Sequence, residues 1–107
     1  MPHYLVQVAY TPDAWATQLK NPQSRAEAIR PAIERLGGRM ECAYLAFGEY
    51  DVVVVLDMPD NVNAAAFSIA AAAGGAVRTI KTTPLMTLEE GIEAMRKAGT
   101  AGYRPPG

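Results

Sequence analysis

The residues from Val52 to Leu56 constrain the fold most, because they form an unbroken apolar run, VVVVL. Side chains alternate between the two faces of a β-strand, so Val52, Val54 and Leu56 point to one face. Val53 and Val55 then point to the other. An antiparallel strand with one face in water alternates apolar and polar residues, and this run does not. It therefore predicts a central strand that is covered on both faces.

Turn and capping signals divide the rest of the chain into strands and helices. Runs rich in β-branched and aromatic residues predict strands at 3–10, 39–47, 50–58 and 76–85. Apolar residues at helical spacing, with Ser, Thr, Asp or Pro at their starts, predict helices at 13–20, 24–36, 61–73 and 88–97. The pair Gly48-Glu49 predicts a tight hairpin between the second and third strands.

The order β-α-β-β-α-β, with one more helix after it, predicts an α+β ferredoxin-like fold. In that fold a four-stranded antiparallel sheet carries two helices on one face. We expect residues 1–98 to form a single domain, followed by a Gly/Pro-rich tail at 99–107. Because helices cover only one face, the apolar third strand predicts a second copy packed sheet to sheet, as a homodimer or within a larger homo-oligomer.

Composition and charge exclude several classes of partner. Ten basic and eleven acidic residues leave a net charge of -1, so the chain has no basic field to bind nucleic acid. The apolar stretch AAAFSIAAAA is ten residues long, whereas a membrane-spanning helix needs about 20. The segment MPHYLVQVAY does not have the pattern of a signal peptide. We expect a cytoplasmic protein with no nucleic-acid or membrane partner.

Three motifs together resemble the GYD-domain family of bacterial proteins. They are GEYD at 48–51 before the valine run, PDN at 59–61 before an alanine-rich helix, and VRTIKTTPLMT at 77–87. The resemblance covers Pro2 to about Thr87 and implies a dimeric ferredoxin-like fold. That architecture is similar to the dimeric α/β-barrel groups that include muconolactone isomerase and cofactor-free monooxygenases. It favours a pocket between sheet and helices but transfers no reaction, because function depends on sites rather than folds.

The candidate catalytic residues are Glu49, Tyr50 and Asp51, directly before the apolar run. Two carboxylates two residues apart on a strand share a face, with their Cα atoms about 6–7 Å apart. Asp51 and Tyr50 are then the candidate acid and base. The alternative is a solvated turn in which Asp51 accepts hydrogen bonds from backbone N–H groups.

The candidate ligand-binding residues are Gln7, Tyr44, Arg78 and Lys81. Arg78 and Lys81 are three residues apart on one strand, so they point to opposite faces. If one of them points into a pocket, it can bind a small anionic ligand together with Gln7. The alternative is that these charges protect an exposed sheet edge from pairing with another chain.

The sequence predicts neither a metal site nor a cofactor. His3 is the only histidine, and no CxxC or HxxxH spacing accompanies it. Cys42, the only cysteine, is predicted to be a buried small hydrophobe on the same face as Met40 and Tyr44.

Two classes of function follow from these residues. The first is a small dimeric binding or accessory protein, whose tail from Tyr103 to Gly107 is a candidate docking segment for a protein partner. The alternative is a cofactor-independent isomerase or monooxygenase-like enzyme that acts on small organic acids. The first is favoured, because no pair of side chains is forced by its spacing into catalytic geometry.

Overall fold

The computed structural model describes residues 1–107 and confirms the predicted α+β ferredoxin-like fold. The strands are β1 (His3–Tyr10), β2 (Arg39–Leu45), β3 (Val52–Asp57) and β4 (Val77–Leu85). The helices are α1 (Pro12–Lys20), α2 (Arg25–Arg35), α3 (Asn61–Ala73) and α4 (Leu88–Gly99). The strands form one antiparallel sheet in the order β2-β3-β1-β4, which places the valine-rich β3 beside β1 at the centre.

Capping side chains begin the helices where the sequence predicts them. Thr87 and Glu90 form a complete capping box at α4, each side chain bonded to the backbone N–H of the other. At α2 only half of the predicted box forms, since Ser24 Oγ accepts from the N–H of Glu27 at 3.4 Å. The Glu27 carboxylate instead pairs with Arg30 at 2.9 Å, one turn further along the helix.

The hydrophobic core lies between the sheet and the helices α2 and α3. Its best-buried side chains include Val6, Val54 and Leu56 from the sheet, each 1% exposed, and Ile33 from α2 and Met58, which are fully buried. Close packing of such side chains is what fixes the helices on this face. We call it the covered face.

The connection between β2 and β3 is longer than predicted. The strands end at Leu45 and begin again at Val52, so residues 46–51 form a loop rather than a tight hairpin at Gly48-Glu49. Asp51 holds this loop against the sheet, because its N–H donates to Val8 O at 2.7 Å. Its carbonyl oxygen accepts from the N–H of Ala46, also at 2.7 Å.

A β-bulge interrupts β2 between Met40 and Cys42. A bulge inserts one extra residue and reverses the facing of the side chains that follow it. Met40 therefore points to the covered face and is 7% exposed, whereas Cys42 is exposed on the other side with Tyr44. The prediction of a buried Cys42 on the face of Met40 is wrong for this reason.

The C-terminal part of the chain contributes little to the core. The helix α4 has no buried residue. A compact chain of this length has a radius of gyration of about 13 Å. The observed value is 17.0 Å, and the longest axis measures 57 Å, so the molecule is extended. No helix has the length and apolar character needed to cross a membrane.

Candidate functional site

The helices α2 and α3 lie on one face of the sheet, and we call the other face the open face. Its centre is apolar, because Leu5 lies opposite Val55 across the β1–β3 pair and Val53 lies beside them. All three side chains are half-buried, whereas their neighbours on the covered face, such as Val6 and Val54, are buried. Tyr44 at the edge is 70% exposed.

Three of the four predicted ligand-binding residues lie in one row of the open face. The strand register places Tyr44 opposite Val53, Val53 opposite Gln7, and Gln7 opposite Lys81. The row thus carries a phenol, an amide and an ammonium group across an apolar strand. Arg78 does not join it, because that residue lies three positions before Lys81 on β4. A register shift in the β1–β4 pair also leaves Arg78 without a partner on β1.

The predicted catalytic residues precede β3 in the 46–51 loop. The Asp51 carboxylate accepts a hydrogen bond from the backbone N–H of Tyr10 at 2.9 Å, which ties the loop to β1. Glu49 is exposed and Tyr50 is half-buried. The bond to Tyr10 matches the alternative in which Asp51 caps backbone groups. The acid and base roles of these residues stay a prediction.

A cluster of charged side chains occupies the opposite end of the open face, and we call it the polar cluster: Arg39, Glu41, His3 and Asp57. The strand register aligns Arg39, Asp57 and His3 across β2, β3 and β1. His3 Nδ1 lies 2.5 Å from Asp57 Oδ1 and 3.1 Å from Glu41 Oε2. Arg39 Nη2 donates to the second oxygen of Asp57, Oδ2, at 2.6 Å.

The Asp57 carboxylate is the buried centre of the polar cluster. Its side chain is 5% exposed, against 35% for His3 and 70% for Arg39. Burial alone raises the pKa of a carboxyl group, but the hydrogen bonds from Arg39 and His3 outweigh it and hold the pKa of Asp57 below its ordinary value. Asp57 is therefore an anion at neutral pH.

The polar cluster has no sequence motif, because its members are far apart in the chain. Glu41 reaches His3 only through the β2 bulge, which has no glycine to mark it. The pairing of His3 with Asp57 had a weak signal. Aligning the apolar runs of β1 and β3 in antiparallel register places these two residues directly opposite each other.

A second candidate site is a cavity of about 260 Å³ between the sheet and the helices α2 and α3. Its walls are mostly apolar, including Val8, Ile29 and Phe67. Arg25 is the charged residue of the lining, and Tyr10 contributes a phenol. Burial raises the pKa of Tyr10, partly opposed by the nearby Arg25, so the phenol stays protonated and can donate a hydrogen bond. None of the predicted site residues lines this cavity.

Comparison with known proteins supports the resemblance seen in the motifs. The model of the GYD domain family matches residues 4–95, which is most of the chain. A protein of Thermus thermophilus is 33% identical over 90 residues, covering 83% of this chain and 87% of that protein. It is named glutamine synthetase and cystathionine beta-lyase binding protein. The chain with the open face and the polar cluster therefore belongs to the GYD domain family.

Proposed function

We propose that this protein is a small, dimeric, cytoplasmic binding or accessory protein that docks on a metabolic enzyme. The observation that carries the proposal is the open face, where Leu5, Val53 and Val55 lie without a covering layer. A second copy can cover these side chains by an isologous contact, in which the same surface is used by both subunits. In that arrangement the helices and the C-terminal segment stay free to bind a partner.

The helix α4 is the part of the chain best suited to bind such a partner. Leu88, Ile92 and Met95 are 89%, 45% and 68% exposed. Their spacing of four and then three residues places them on one side of the helix. An amphipathic helix with such a stripe binds well in an apolar groove of another protein. The Thermus thermophilus relative is named for binding two enzymes, glutamine synthetase and cystathionine beta-lyase. This name supports an enzyme as the partner that α4 binds.

The dimer is tested by sedimentation equilibrium over a range of protein concentrations. We expect a mass of twice the 11.5 kDa of one chain. Val55→Glu places a charge in the centre of the open face and should shift the protein to monomer. Val62→Glu is the matched control, because Val62 lies on α3 and is 77% exposed. A wild-type monomer at all concentrations contradicts the dimer, and a larger assembly that Val55→Glu leaves intact contradicts the open face as its interface.

Docking is tested by biolayer interferometry with purified glutamine synthetase and cystathionine beta-lyase from the same organism as this chain. We expect at least one of the two enzymes to bind. Ile92→Glu should weaken binding at least tenfold without changing the mass of the dimer, because it disrupts the apolar stripe of α4. Leu19→Glu on α1 is the control, since Leu19 is 78% exposed and lies outside that stripe. No binding to either enzyme contradicts these partners.

The 260 Å³ cavity favours a second candidate function, the binding or turnover of a small organic acid. Apolar walls with one cation and one phenol suit a ligand that has an apolar body and a carboxylate. In this case the protein is a cofactor-independent isomerase or monooxygenase-like enzyme. Calorimetry with benzoate and hexanoate tests it, with Arg25→Gln expected to abolish binding and Arg35→Gln to retain it. Absence of binding by the wild type to both acids contradicts this candidate.

A further inference from the structure

The donor atoms of the polar cluster converge closely enough to hold one metal ion. His3 Nδ1, a Glu41 oxygen and an Asp57 oxygen all lie within 4.8 Å of one another. Two atoms bound about 2.1 Å from a tetrahedral zinc ion lie about 3.4 Å apart. The contact between His3 and Glu41 is 3.1 Å and that between His3 and Asp57 is 2.5 Å. For the two pairs that include His3, outward movements of less than about 1 Å reach the spacing that zinc requires.

The three donors are positioned by the sheet rather than by flexible loops. His3, Glu41 and Asp57 belong to three adjacent strands, β1, β2 and β3. Hydrogen bonding between strands fixes His3 opposite Asp57, and the bulge after Met40 directs Glu41 to the same side. Sites built on strands hold their donors more accurately than sites built on loops.

The charges and accessibility of the polar cluster also suit a cation. The carboxylates of Glu41 and Asp57 carry two negative charges, and the guanidinium of Arg39 carries one positive charge. If the His3 imidazole is neutral, one negative charge is left over beside the buried Asp57. Arg39 engages Oδ2 of Asp57 and leaves Oδ1 directed at His3, as an outer partner does when it orients a metal ligand. His3 and Glu41 are about one-third exposed, at 35% and 34%, so an ion can enter from solvent.

We propose that His3 Nδ1, Glu41 and Asp57 bind a divalent transition-metal ion of the zinc type at the end of the open face. One imidazole nitrogen and two carboxylate oxygens are ligands that Zn²⁺ accepts. Three protein ligands leave a coordination position for water or for a group of a partner molecule. The site is distinct from α4 and from the 260 Å³ cavity, so it does not depend on the proposed docking or on a small-acid ligand.

A proton on His3 is the competing explanation of the polar cluster. An imidazolium between two carboxylates also neutralises the excess charge. The two explanations differ at a single atom, because Nδ1 binds a metal in one and carries a proton in the other. His3 is the only histidine, so its imidazole nitrogen signals can be followed by NMR without overlap.

The test is calorimetric titration of the untagged full-length protein with Zn²⁺ at neutral pH, followed by ¹⁵N NMR of the imidazole. We expect one ion per chain and a large change in the Nδ1 signal, with a small change at Nε2. Loss of an outer partner costs about 10- to 100-fold in metal affinity, so loss of a ligand should cost more than about 100-fold. His3→Gln and Glu41→Gln should both show that loss, and Co²⁺ should give visible absorption bands only with the intact cluster.

The controls separate a built site from surface binding. Glu34→Gln removes an exposed carboxylate of α2 and should leave the affinity for Zn²⁺ unchanged. Glu41→Gln is nearly isosteric at an exposed position, so it keeps the test valid if His3→Gln does not fold. Failure to bind Zn²⁺, binding that both ligand variants retain, or a metal signal at Nε2 instead of Nδ1 each overturns the proposal.

Discussion

The two faces of the sheet are built from the same strands, yet they differ in what covers them. On the covered face Val54 is 1% exposed beneath the helices. On the open face its neighbours Val53 and Val55, one residue away in each direction, are only half-buried. Valine is the main residue of β3 on both faces, although the strand ends with Asp57 on the open face and with Leu56 on the covered face. The single chain thus supplies a cover for one of two faces that are both suited to burial.

The two faces also differ in where they place charge. The sheet part of the covered face is apolar, with the Tyr4 hydroxyl donating to Asn61 Oδ1 at 2.5 Å near its end. The open face carries Lys81 in its middle row and the polar cluster at its end. Charge at defined positions around an apolar centre favours one orientation of a partner over others. The open face is therefore suited to a specific contact with one partner rather than to nonspecific association.

The largest effect should come from a matched pair of alanine substitutions on β3. Val54→Ala removes two methyl groups from the core and should lower the free energy of unfolding by about 2.5 kcal/mol. Val55→Ala should cost less than about 1 kcal/mol in the monomer, because its side chain is already partly solvated. Urea denaturation at low protein concentration measures both. Equal losses would mean that the two faces are equally buried in the single chain.

Asp57→Asn should have the next largest effect, since it removes the anion at the centre of the polar cluster. Hydrogen bonds to charged groups contribute about 1.5 to 3 kcal/mol each. Arg39 is 70% exposed, so water can replace the hydrogen bond that it loses. We therefore expect the free energy of unfolding to fall by about 2 kcal/mol rather than by the sum of both bonds. Urea denaturation checks this value. A loss below that of Val55→Ala would show that the open face gains nothing from its charges.

The same aspartate should make the free energy of unfolding depend on pH in the acidic range. The folded state lowers the pKa of Asp57 from its ordinary value of 3.8, so the stabilisation is complete above that pH. It should disappear as the pH falls below 3.8 and through the lower folded pKa. The measurement is the difference in unfolding free energy between wild type and Asp57→Asn as a function of pH. A difference that stays constant down to pH 2 would assign the effect to shape rather than charge.

Most local signals predicted the structure correctly, apart from the tight hairpin at Gly48-Glu49, whereas features that depend on strand register were missed. Capping residues such as Thr87 and the apolar period of β3 were sufficient for the element order and the sheet. The bulge before Cys42 occurs within RMECAYL, a stretch that lacks the glycine or asparagine which often marks such a feature. One extra residue there reverses the facing of Cys42 and brings Glu41 to His3, so the error in burial and the missed cluster have one cause.

The smallest expected effect concerns Asp51, at the opposite end of β3 from Asp57. Its carboxylate accepts from the N–H of Tyr10, a bond that an asparagine oxygen can also accept. Asp51→Asn should therefore cost less than about 1 kcal/mol, whereas Asp51→Ala leaves that N–H without its acceptor and should cost about 1 to 2 kcal/mol. Thermal or urea denaturation gives both values. Asp51 does not line the 260 Å³ cavity, so Asp51→Asn should leave the binding of benzoate and hexanoate unchanged. Loss of that binding at full stability would show that the carboxylate acts on a ligand and would strengthen the acid-base candidate. If binding and stability fall only in Asp51→Ala, Asp51 acts only as an acceptor for the backbone before β3. The charged site on this strand is then the one around Asp57, at its other end.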